Sequence, residues 1–203
     1  MRVLIAEDDP VIAMALAERL RLLGHEPIGP AVDGEQAVAI AKETLPDLYL
    51  FDIEMPSVDG LVAASQLAEQ GLRRPVVVVT GVDDPGLIGR SISSGVSAYL
   101  TKPIDTRELQ AAIELAAARH AEFEALESEM NEAQQALEER KVVERAKGLL
   151  MSALQLSEQD AFRRLQLTAR ERNLRLAEVA NRIVEQESLL KPKAASRANA
   201  YRR

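Results

Sequence analysis

The chain has 203 residues, of which 47% are apolar and 3% aromatic, and it carries 25 Lys and Arg against 32 Asp and Glu. It has no cysteine and only two histidines, which excludes disulfides, thiolate chemistry and a histidine-rich zinc centre. No apolar run approaches the roughly 20 residues that span a bilayer, and the N-terminus is typical of a first strand rather than of a signal peptide. We therefore expect a soluble cytoplasmic protein without membrane contact.

The charge is divided unevenly along the chain. Residues 1–138 hold 10 Lys and Arg against 24 Asp and Glu, whereas residues 139–203 hold 15 against 8. An acidic first part and a basic second part favour a protein that meets a polyanion only through its C-terminal part. The plainer interpretation, two solvated surfaces without a ligand, stays open on charge alone.

Short apolar runs alternate with helical patterns over the first hundred residues. Residues 2–6 are an apolar run that stops at acids, which is typical of a buried strand. Further strands are predicted at 26–31, 47–52, 75–79 and 98–101, and helices from Pro10 to about Leu23, after Asp33-Gly34, at Leu61–Gln70 and near 86–94. Five strands that alternate with helices predict an α/β fold with a doubly wound, five-stranded parallel sheet.

The carboxyl ends of the predicted strands hold the residues suited to chemistry, and parallel sheets place functional crevices there. Glu7 and Asp8 follow the first strand, Asp52 ends the third, Thr80 follows the fourth and Lys102 follows the fifth. Clustered carboxylates repel unless a cation neutralises them, and a hard ion such as Mg²⁺ suits them. With a lysine and a hydroxyl nearby, the cluster is suited to hold a phosphoryl group on Asp52. Any one of these residues alone would favour an ordinary helix cap, but their combination favours the site.

These segments make residues 1–118 resemble the receiver domain of two-component response regulators. The similarity rests on Ile5–Pro10, on Asp52–Pro56 with Asp59-Gly60, on Val79–Gly81 and on Tyr99–Pro103. The resemblance implies a flavodoxin-like fold, a sensor histidine kinase as partner and Mg²⁺ as cofactor.

The resemblance also implies a role for each matching residue. Asp52 would be the phospho-acceptor; Glu7, Asp8, Asp52 and the backbone carbonyl of Glu54 would organise Mg²⁺; Thr80 and Lys102 would bind the phosphoryl oxygens; Thr80 and Tyr99 would form a switch pair. The Lys102–Pro103 peptide is expected to be cis. We expect no enzyme activity beyond self-catalysed phosphotransfer and dephosphorylation.

An enzyme of the haloacid dehalogenase type is the alternative for this half of the chain. That family needs an acid two residues after its nucleophile and a small hydroxyl residue two further on. Here Asp52 is followed by Glu54, but Pro56 stands where the hydroxyl is required. The phosphatase alternative is therefore disfavoured.

From Thr106 the pattern changes to one long helix with few breakers before Gly148. Apolar residues recur at intervals of four and three from Leu109 through Ile113, Ala116 and His120 to Phe123, and again from Leu126 through Met130 and Ala133 to Leu137 after a slip of one residue. This spacing is coiled-coil-like, so residues 106–140 are predicted to be a linker that forms a homodimer, at least when the receiver is phosphorylated. The alternative is a helix that folds back on its own domain.

Residues 141–190 are predicted to form a small all-α domain of three helices, and the basic tail 191–203 is predicted to be disordered. An N-cap at Ser157 and a break near Asn173 separate the helices. The expected core is Ala146, Leu149, Leu150, Leu154, Ala161, Leu165, Ala169, Leu176, Val179, Ala180 and Ile183.

This segment resembles the ANTAR domain, an RNA-binding output module of transcription antitermination regulators. The matching positions are Ala146–Met151, Leu156–Glu158, Ala161-Phe162, Leu165, Ala169 and Leu176–Ala180. The resemblance implies binding to RNA stem-loops that compete with a transcription terminator. Charge and position give Lys147, Arg170, Arg172, Asn173 and Arg175 as candidate RNA contacts.

Three other interpretations of the basic segment stay open. The arginines could pair with neighbouring glutamates and only solvate a helix. Residues 176–187 could be the recognition helix of a helix-turn-helix that reads duplex DNA, although acids on its exposed face would repel phosphate. The last alternative is a phosphorylation-switched dimer whose helices bind only protein.

Overall fold

The structure of the chain is a computed structural model, and it describes the backbone of residues 1–81 and 96–190 and the side chains of 1–81 and 96–187. The strands are β1 Arg2–Ala6, β2 Glu26–Ala31, β3 Leu48–Asp52, β4 Val76–Thr80 and β5 Ala98–Thr101. The helices are α1 Pro10–Leu22, α2 Gly34–Thr44, α3 Gly60–Glu69, α4 Thr106–Leu154, α5 Glu158–Arg172 and α6 Leu176–Leu190. The helix predicted near 86–94 and the tail 191–203 lie outside the described residues.

The five strands form one parallel sheet in the order β2-β1-β3-β4-β5. Each predicted strand lies within one residue of an observed strand, and the doubly wound α/β fold is confirmed. The strand order changes direction between β1 and β3, because β2 lies on one side of β1 and the later strands β4 and β5 lie beyond β3. The carboxyl ends of β1 and β3 therefore flank the crevice of the sheet.

Strict alternation of side chains along the strands builds two separate cores. In β3, Tyr49 and Phe51 face the core covered by α2 and α3, whereas Leu48 and Leu50 face the core covered by α1 and the start of α4. All four side chains are buried, as expected for a central strand covered on both faces. The sequence DLYLFD therefore specifies a strand with no solvent-facing side. Its last residue, Asp52, lies at the carboxyl end of the sheet.

Aspartates start three of the helices that cover the sheet. The Asp9 carboxylate accepts from the backbone of Val11 and Ile12, and the carboxylates of Asp33 and Asp59 cap α2 and α3 in the same way. Such caps satisfy amide groups that have no partner inside the helix. They explain why acids that precede these helices, including Asp9, are not all available to a ligand.

Helix α4 is continuous over 49 residues, and the chain divides into two compact units after Leu126. Within the first unit, Leu109, Ile113 and Ala116 are buried in the core that α4 shares with α1 and the sheet. The prediction that these three residues belong to a dimer seam was wrong, because they complete the core of their own domain. Among the described residues, Ala116 is the last residue of α4 in this core.

The second unit contains the end of α4 together with α5 and α6. Its buried cluster consists of Ala146, Leu165, Ala169, Val179 and Ala180, with Val142, Val143, Leu150, Leu174, Leu176, Ile183 and Val184 packed against it. Ser157 caps α5, and Asn173 ends it in the left-handed conformation, as expected. Leu154, predicted to be in the core, is 48% exposed, because α4 ends there and the chain turns away through Gln155 at φ 54°.

Among residues 1–81 and 96–190, no helix combines the length and the apolar character that crossing a membrane requires.

Candidate metal centre and nucleic-acid interface

Four parallel strands deliver the predicted site residues to one edge of the sheet. Glu7 follows β1 and is 1% exposed, and Asp52 ends β3 and is 4% exposed. Thr80 ends β4 and is fully buried, and Lys102 follows β5, where its amide donates to the Thr80 carbonyl at 2.8 Å. Charged groups this deep need partners, and the sheet edge supplies them.

Lys102 links the two buried carboxylates. Its Nζ donates to Asp52 Oδ2 at 2.7 Å and to Glu7 Oε1 at 3.0 Å, and it lies 2.9 Å from Glu7 Oε2. The peptide bond between Lys102 and Pro103 is cis, as the sequence resemblance implied. The ammonium therefore occupies the position between the acids of the first and third strands.

The electrostatics of the cluster reflect one cation shared between buried acids. Burial raises the pKa of Glu7, and the charge of Asp52 adds to this rise, while the hydrogen bond from Lys102 opposes it. Burial alone would lower the pKa of Lys102, but its hydrogen bonds to Asp52 and Glu7 outweigh that effect and the pKa is raised. The site thus holds its ammonium firmly but leaves the acids short of positive charge.

The acids fit a divalent cation. Glu7, Asp8 and Asp52 each offer a carboxylate oxygen, and these atoms lie within 4.8 Å of one another. Glu7 Oε2 is buried without a hydrogen-bond donor, although Lys102 Nζ is close, because the lysine is aligned on the other oxygen. A hard ion with oxygen ligands would satisfy this atom and offset the excess negative charge. A role for the Glu54 carbonyl as a ligand stays a prediction.

The loop after β3 packs tightly around Asp52. The backbone amide of Glu54 donates to Asp52 Oδ1 at 3.2 Å, so each carboxylate oxygen has one donor. Gly60, at the start of α3, approaches the Asp52 carbonyl so closely that an added Cβ would collide with that oxygen. This glycine is a site residue that the motif Asp59-Gly60 pointed to but whose role the sequence could not give.

The predicted switch residues Thr80 and Tyr99 lie on the face of the sheet that α2 and α3 cover. Side chains alternate along β4 and β5, so Thr80 shares the face of Val78, and Tyr99, paired with Val78 in register, is half-buried against the core of α2 and α3. Thr80 and Tyr99 are therefore on the same side of the sheet, one residue pair apart. A rearrangement that couples them stays a prediction.

The candidate RNA contacts of the second unit differ in their availability. Lys147 is buried, pairs with Glu158 at 2.7 Å and Glu144 at 2.9 Å, and lies 5.9 Å from the centroid of the Phe162 ring. The hydrogen bonds that Lys147 donates to these two carboxylates raise its pKa, and the one to Glu158 has the larger effect. Lys147 thus ties the end of α4 to the start of α5, a contact that no periodicity in the sequence indicated.

The remaining candidates lie at the end of α5 and just beyond it. Arg175 is exposed but pairs with Glu178 at 3.1 Å and with Glu139 at 3.5 Å. Arg170, Arg172 and Asn173 are exposed. Within residues 1–81 and 96–187, neither Arg170 nor Arg172 forms an ion pair. The three exposed residues stay candidates for a ligand, whereas Lys147 and Arg175 already have carboxylate partners.

Comparison with known proteins agrees with both halves of the chain. A model described as the response regulator receiver domain matches residues 3–114, and one described as the ANTAR domain matches residues 131–184. The transcriptional regulatory protein PdtaR of Mycobacterium tuberculosis is 44% identical over 184 residues, which cover 91% of this chain and 89% of that protein.

Solved structures resemble the first unit. The signal receiver domain of a modulated diguanylate cyclase from Desulfovibrio desulfuricans G20 is 33% identical, with a TM-score of 0.54, and covers 58% of this chain and 94% of its own. The receiver domain of the Francisella response regulator 1452 is 28% identical, with a TM-score of 0.54, and covers 59% of this chain and 98% of its own. With the carboxylate site in place at Asp52, this chain belongs to the two-component response regulators that join a receiver domain to an ANTAR domain.

Proposed function

We propose that this response regulator accepts a phosphoryl group on Asp52 and then acts as a transcription antiterminator by binding RNA stem-loops. The observation that carries the first half is the buried Asp52 carboxylate held by Lys102 and adjoined by Glu7 and Asp8. The second half rests on the ANTAR match over residues 131–184 and on exposed arginines at the end of α5.

The chemistry at Asp52 is a transfer between two nucleophiles. A carboxylate oxygen of Asp52 forms a bond to phosphorus while the bond from phosphorus to the imidazole nitrogen of a phosphohistidine breaks, and the imidazole leaves. Lys102 stabilises the charge that develops on the phosphoryl oxygens, and the Thr80 hydroxyl donates to one of them. Mg²⁺, when held by Glu7, Asp8 and Asp52, supplies further charge neutralisation.

Lys102 also prepares the site before the transfer, by pairing with the Asp52 carboxylate. It already neutralises the acceptor carboxylate, so the incoming phosphoryl oxygens meet a preformed positive charge without large rearrangement. The same arrangement supports self-catalysed phosphotransfer from small donors and slow hydrolysis of the aspartyl-phosphate. No activity on another substrate is proposed.

Dimerisation through α4 is the proposed route from the receiver to the output. Leu126 and Met130 are 60% and 63% exposed, and Leu137 is also exposed, so the described part of the chain does not cover this apolar row. The seam that a second copy would use is therefore shorter than the predicted 106–140 and begins near Phe123. In this proposal the phosphorylated receiver favours the paired state of α4.

The test is a binding titration of the full chain against a pool of hairpin RNAs and a matched pool of DNA duplexes. It is run with Mg²⁺, with and without beryllofluoride as phosphoryl mimic, on the wild type and on Asp52→Asn. The proposal expects RNA-selective binding that tightens with the mimic in the wild type only. Selective DNA binding, or no nucleic-acid binding in either state, would contradict the output assignment and favour duplex DNA or a protein as target.

A second measurement isolates the receiver. Incubation with acetyl phosphate and Mg²⁺ should add one phosphoryl group to the wild type, detected by mass, and none to Asp52→Asn. Glu35→Gln, an exposed substitution in the first turn of α2, serves as the matched control because it removes a carboxylate outside the cluster. Equal labelling of Asp52→Asn would place the acceptor elsewhere.

A further inference from the structure

Helix α5 carries a polar row on a side that faces away from its core contacts. Ala161, Leu165 and Ala169 are buried and recur every four residues. Gln159, Arg163, Gln166 and Arg170 recur at intervals of four, three and four, and all four are exposed. At 100° per residue, this second row is centred about 130° around the helix from the first. It points away from the core of its own unit.

The side chains of this row have no partner in the described part of the chain. Across residues 1–81 and 96–187, none of the four forms an ion pair or a side-chain hydrogen bond. The contrast lies within the same unit, where Lys141, Arg145, Lys147 and Arg175 are each within ion-pair distance of a glutamate. The three acids of α5 do not lie on the row: Glu158 pairs with Lys147, Asp160 accepts from Ser157, and Glu171 lies about 100° around the helix from Arg170.

We infer that the row Gln159–Arg163–Gln166–Arg170 is the surface that contacts the RNA. The inference rests on the proposed function and assigns it a face. Arginine offers fixed donors for phosphate oxygens, and the glutamine amide offers both a donor and an acceptor for base edges. Arg163 and Arg170 are seven residues apart on one face, about 10 Å along the helix, so each can contact a different phosphate.

The target of such a row is the loop of the hairpin rather than its stem. The major groove of duplex RNA is too narrow and deep for side chains to read, whereas unpaired loop bases expose their edges and faces. Leu167, 50% exposed beside the row, offers an apolar contact for a base face. Positively charged and amide side chains without an acid among them complement a single strand in both charge and hydrogen-bonding capacity.

The row differs from the candidates that the sequence suggested. Only Arg170 belongs to both sets. Arg172 lies two residues further on, about 200° around the helix, and so is nearly on the opposite side from Arg170. Lys147 and Arg175 have carboxylate partners that phosphate would have to displace. Arg163 therefore replaces them as the second cationic contact.

The test uses the full chain with beryllofluoride and Mg²⁺ and a hairpin RNA pool with a fixed stem and a randomised loop. The dissociation constant for the best-bound loop is measured over a range of NaCl concentrations. Each phosphate contact to a single strand contributes about 0.7 to the slope of log affinity against log salt. Arg163→Gln with Arg170→Gln should therefore weaken binding and reduce the slope by about 1.4.

The matched control is Arg140→Gln with Arg182→Gln, which removes two exposed cations from α4 and α6 and should leave the slope unchanged. Gln159→Ala with Gln166→Ala should keep the slope but reduce the preference for the best loop over a scrambled loop by roughly tenfold. All six substitutions are on exposed helix surface, and circular dichroism verifies that the fold is retained.

The outcomes separate the surface from the function. If the wild type binds RNA but the Arg163/Arg170 variant keeps the wild-type slope, or loses no more than the control, the row is not the contact surface and the proposed function stands. If the wild type binds none of the hairpins, the proposed function fails, and the assignment of the row fails with it.

Discussion

Lys102 Nζ lies 2.7 Å from Asp52 Oδ2, so the residue predicted to receive a phosphoryl group already holds the cation that will stabilise it. The same ammonium donates to Glu7, which keeps two acids from repelling each other in a buried position. A metal ion attracted by these acids must therefore share them with the lysine. Removing Lys102 should have opposite effects on metal binding and on phosphotransfer.

Lys102→Ala is expected to strengthen Mg²⁺ binding by roughly tenfold or more, because a competing positive charge leaves the acids. The same substitution should slow phosphorylation by acetyl phosphate roughly 100-fold, because a charge that stabilises the transition state is lost. Isothermal titration calorimetry gives the first value and mass spectrometry against time gives the second. Lys42→Ala, in the last turn of α2, is the control for loss of a lysine. Weaker Mg²⁺ binding in Lys102→Ala would refute the competition.

Gly60→Ala should destabilise the receiver by about 1–3 kcal/mol, because its methyl group has to displace the Asp52 carbonyl or the start of α3. Phosphorylation should fall as well, since Asp52 moves with its backbone. Gly148→Ala makes the same chemical change in the interior of α4, where a Cβ meets no atom within 4 Å. It should stabilise the chain by about 0.5–1 kcal/mol through helix propensity. Thermal unfolding followed by circular dichroism measures the stability change of both variants. Equal changes would contradict the close approach of Gly60 to the Asp52 carbonyl.

Tyr49 provides a pH-dependent contribution to stability that is remote from the acidic cluster. Its hydroxyl donates to the Leu72 carbonyl at 2.8 Å, and burial raises its pKa from 10.0 to about 12. Because the folded chain holds this proton more tightly than the unfolded chain, the free energy of unfolding should fall as pH rises from 10 to about 12.

Tyr49→Phe should therefore cost about 1 kcal/mol at neutral pH through the lost hydrogen bond. Its disadvantage relative to the wild type should shrink as pH rises above 10, because phenylalanine has no proton to lose. Urea unfolding at several pH values measures the difference. The chain has no Trp and three Tyr, so the ionisation of Tyr49 is measured as the absorbance difference between the wild type and Tyr49→Phe. A difference that stays constant up to pH 12 would show that Tyr49 ionises like a free tyrosine.

Self-association through α4 should strengthen with salt. Residues 121–139 hold seven glutamates and no lysine or arginine, so two copies of this segment repel each other. Raising the salt concentration from about 0.1 M to about 1 M shortens the Debye length from about 10 Å to about 3 Å, which should lower the dissociation constant several-fold. Analytical ultracentrifugation at both concentrations measures it.

The apolar row supplies the control for that experiment. Leu126→Glu with Met130→Glu should abolish self-association at every salt concentration, because it places charge where apolar contact is proposed. If association weakens with salt instead, or survives these substitutions, the copies meet through another surface.

The sequence predicted the receiver well because its signals are local. Residues 2–6 and 98–101 are short apolar runs with defined ends, and their order along the chain sets the sheet and brings Glu7 beside Lys102. The role of Gly60 could not be predicted, since it depends on how far α3 approaches the end of β3. Distances across the sheet edge are set by packing, which no single segment encodes.

The long helix and the output module were harder to predict. The heptad spacing of Leu109 and Ile113 fits a coiled coil and an amphipathic helix on a sheet equally well, and only the fold decides between them. Leu154 is apolar and in phase with the core, but the helix ends there. The partners of Lys147 lie three and eleven residues away, on two helices, so its burial could not be inferred from its charge. By contrast, the exposed row of α5 follows from helical spacing alone, which places Gln159, Arg163, Gln166 and Arg170 away from the core residues.

The length of that row limits how much sequence information one output module can extract. The eleven residue steps from Gln159 to Arg170 span about 16 Å, which faces no more than about four nucleotides of an unpaired strand. Four positions distinguish on the order of a few hundred sequences, and a transcriptome contains many thousands of short loops. One module alone would therefore have low sequence specificity for its RNA target. The remaining information would have to come from the shape of the hairpin or from a second copy that reads a neighbouring loop at a fixed distance.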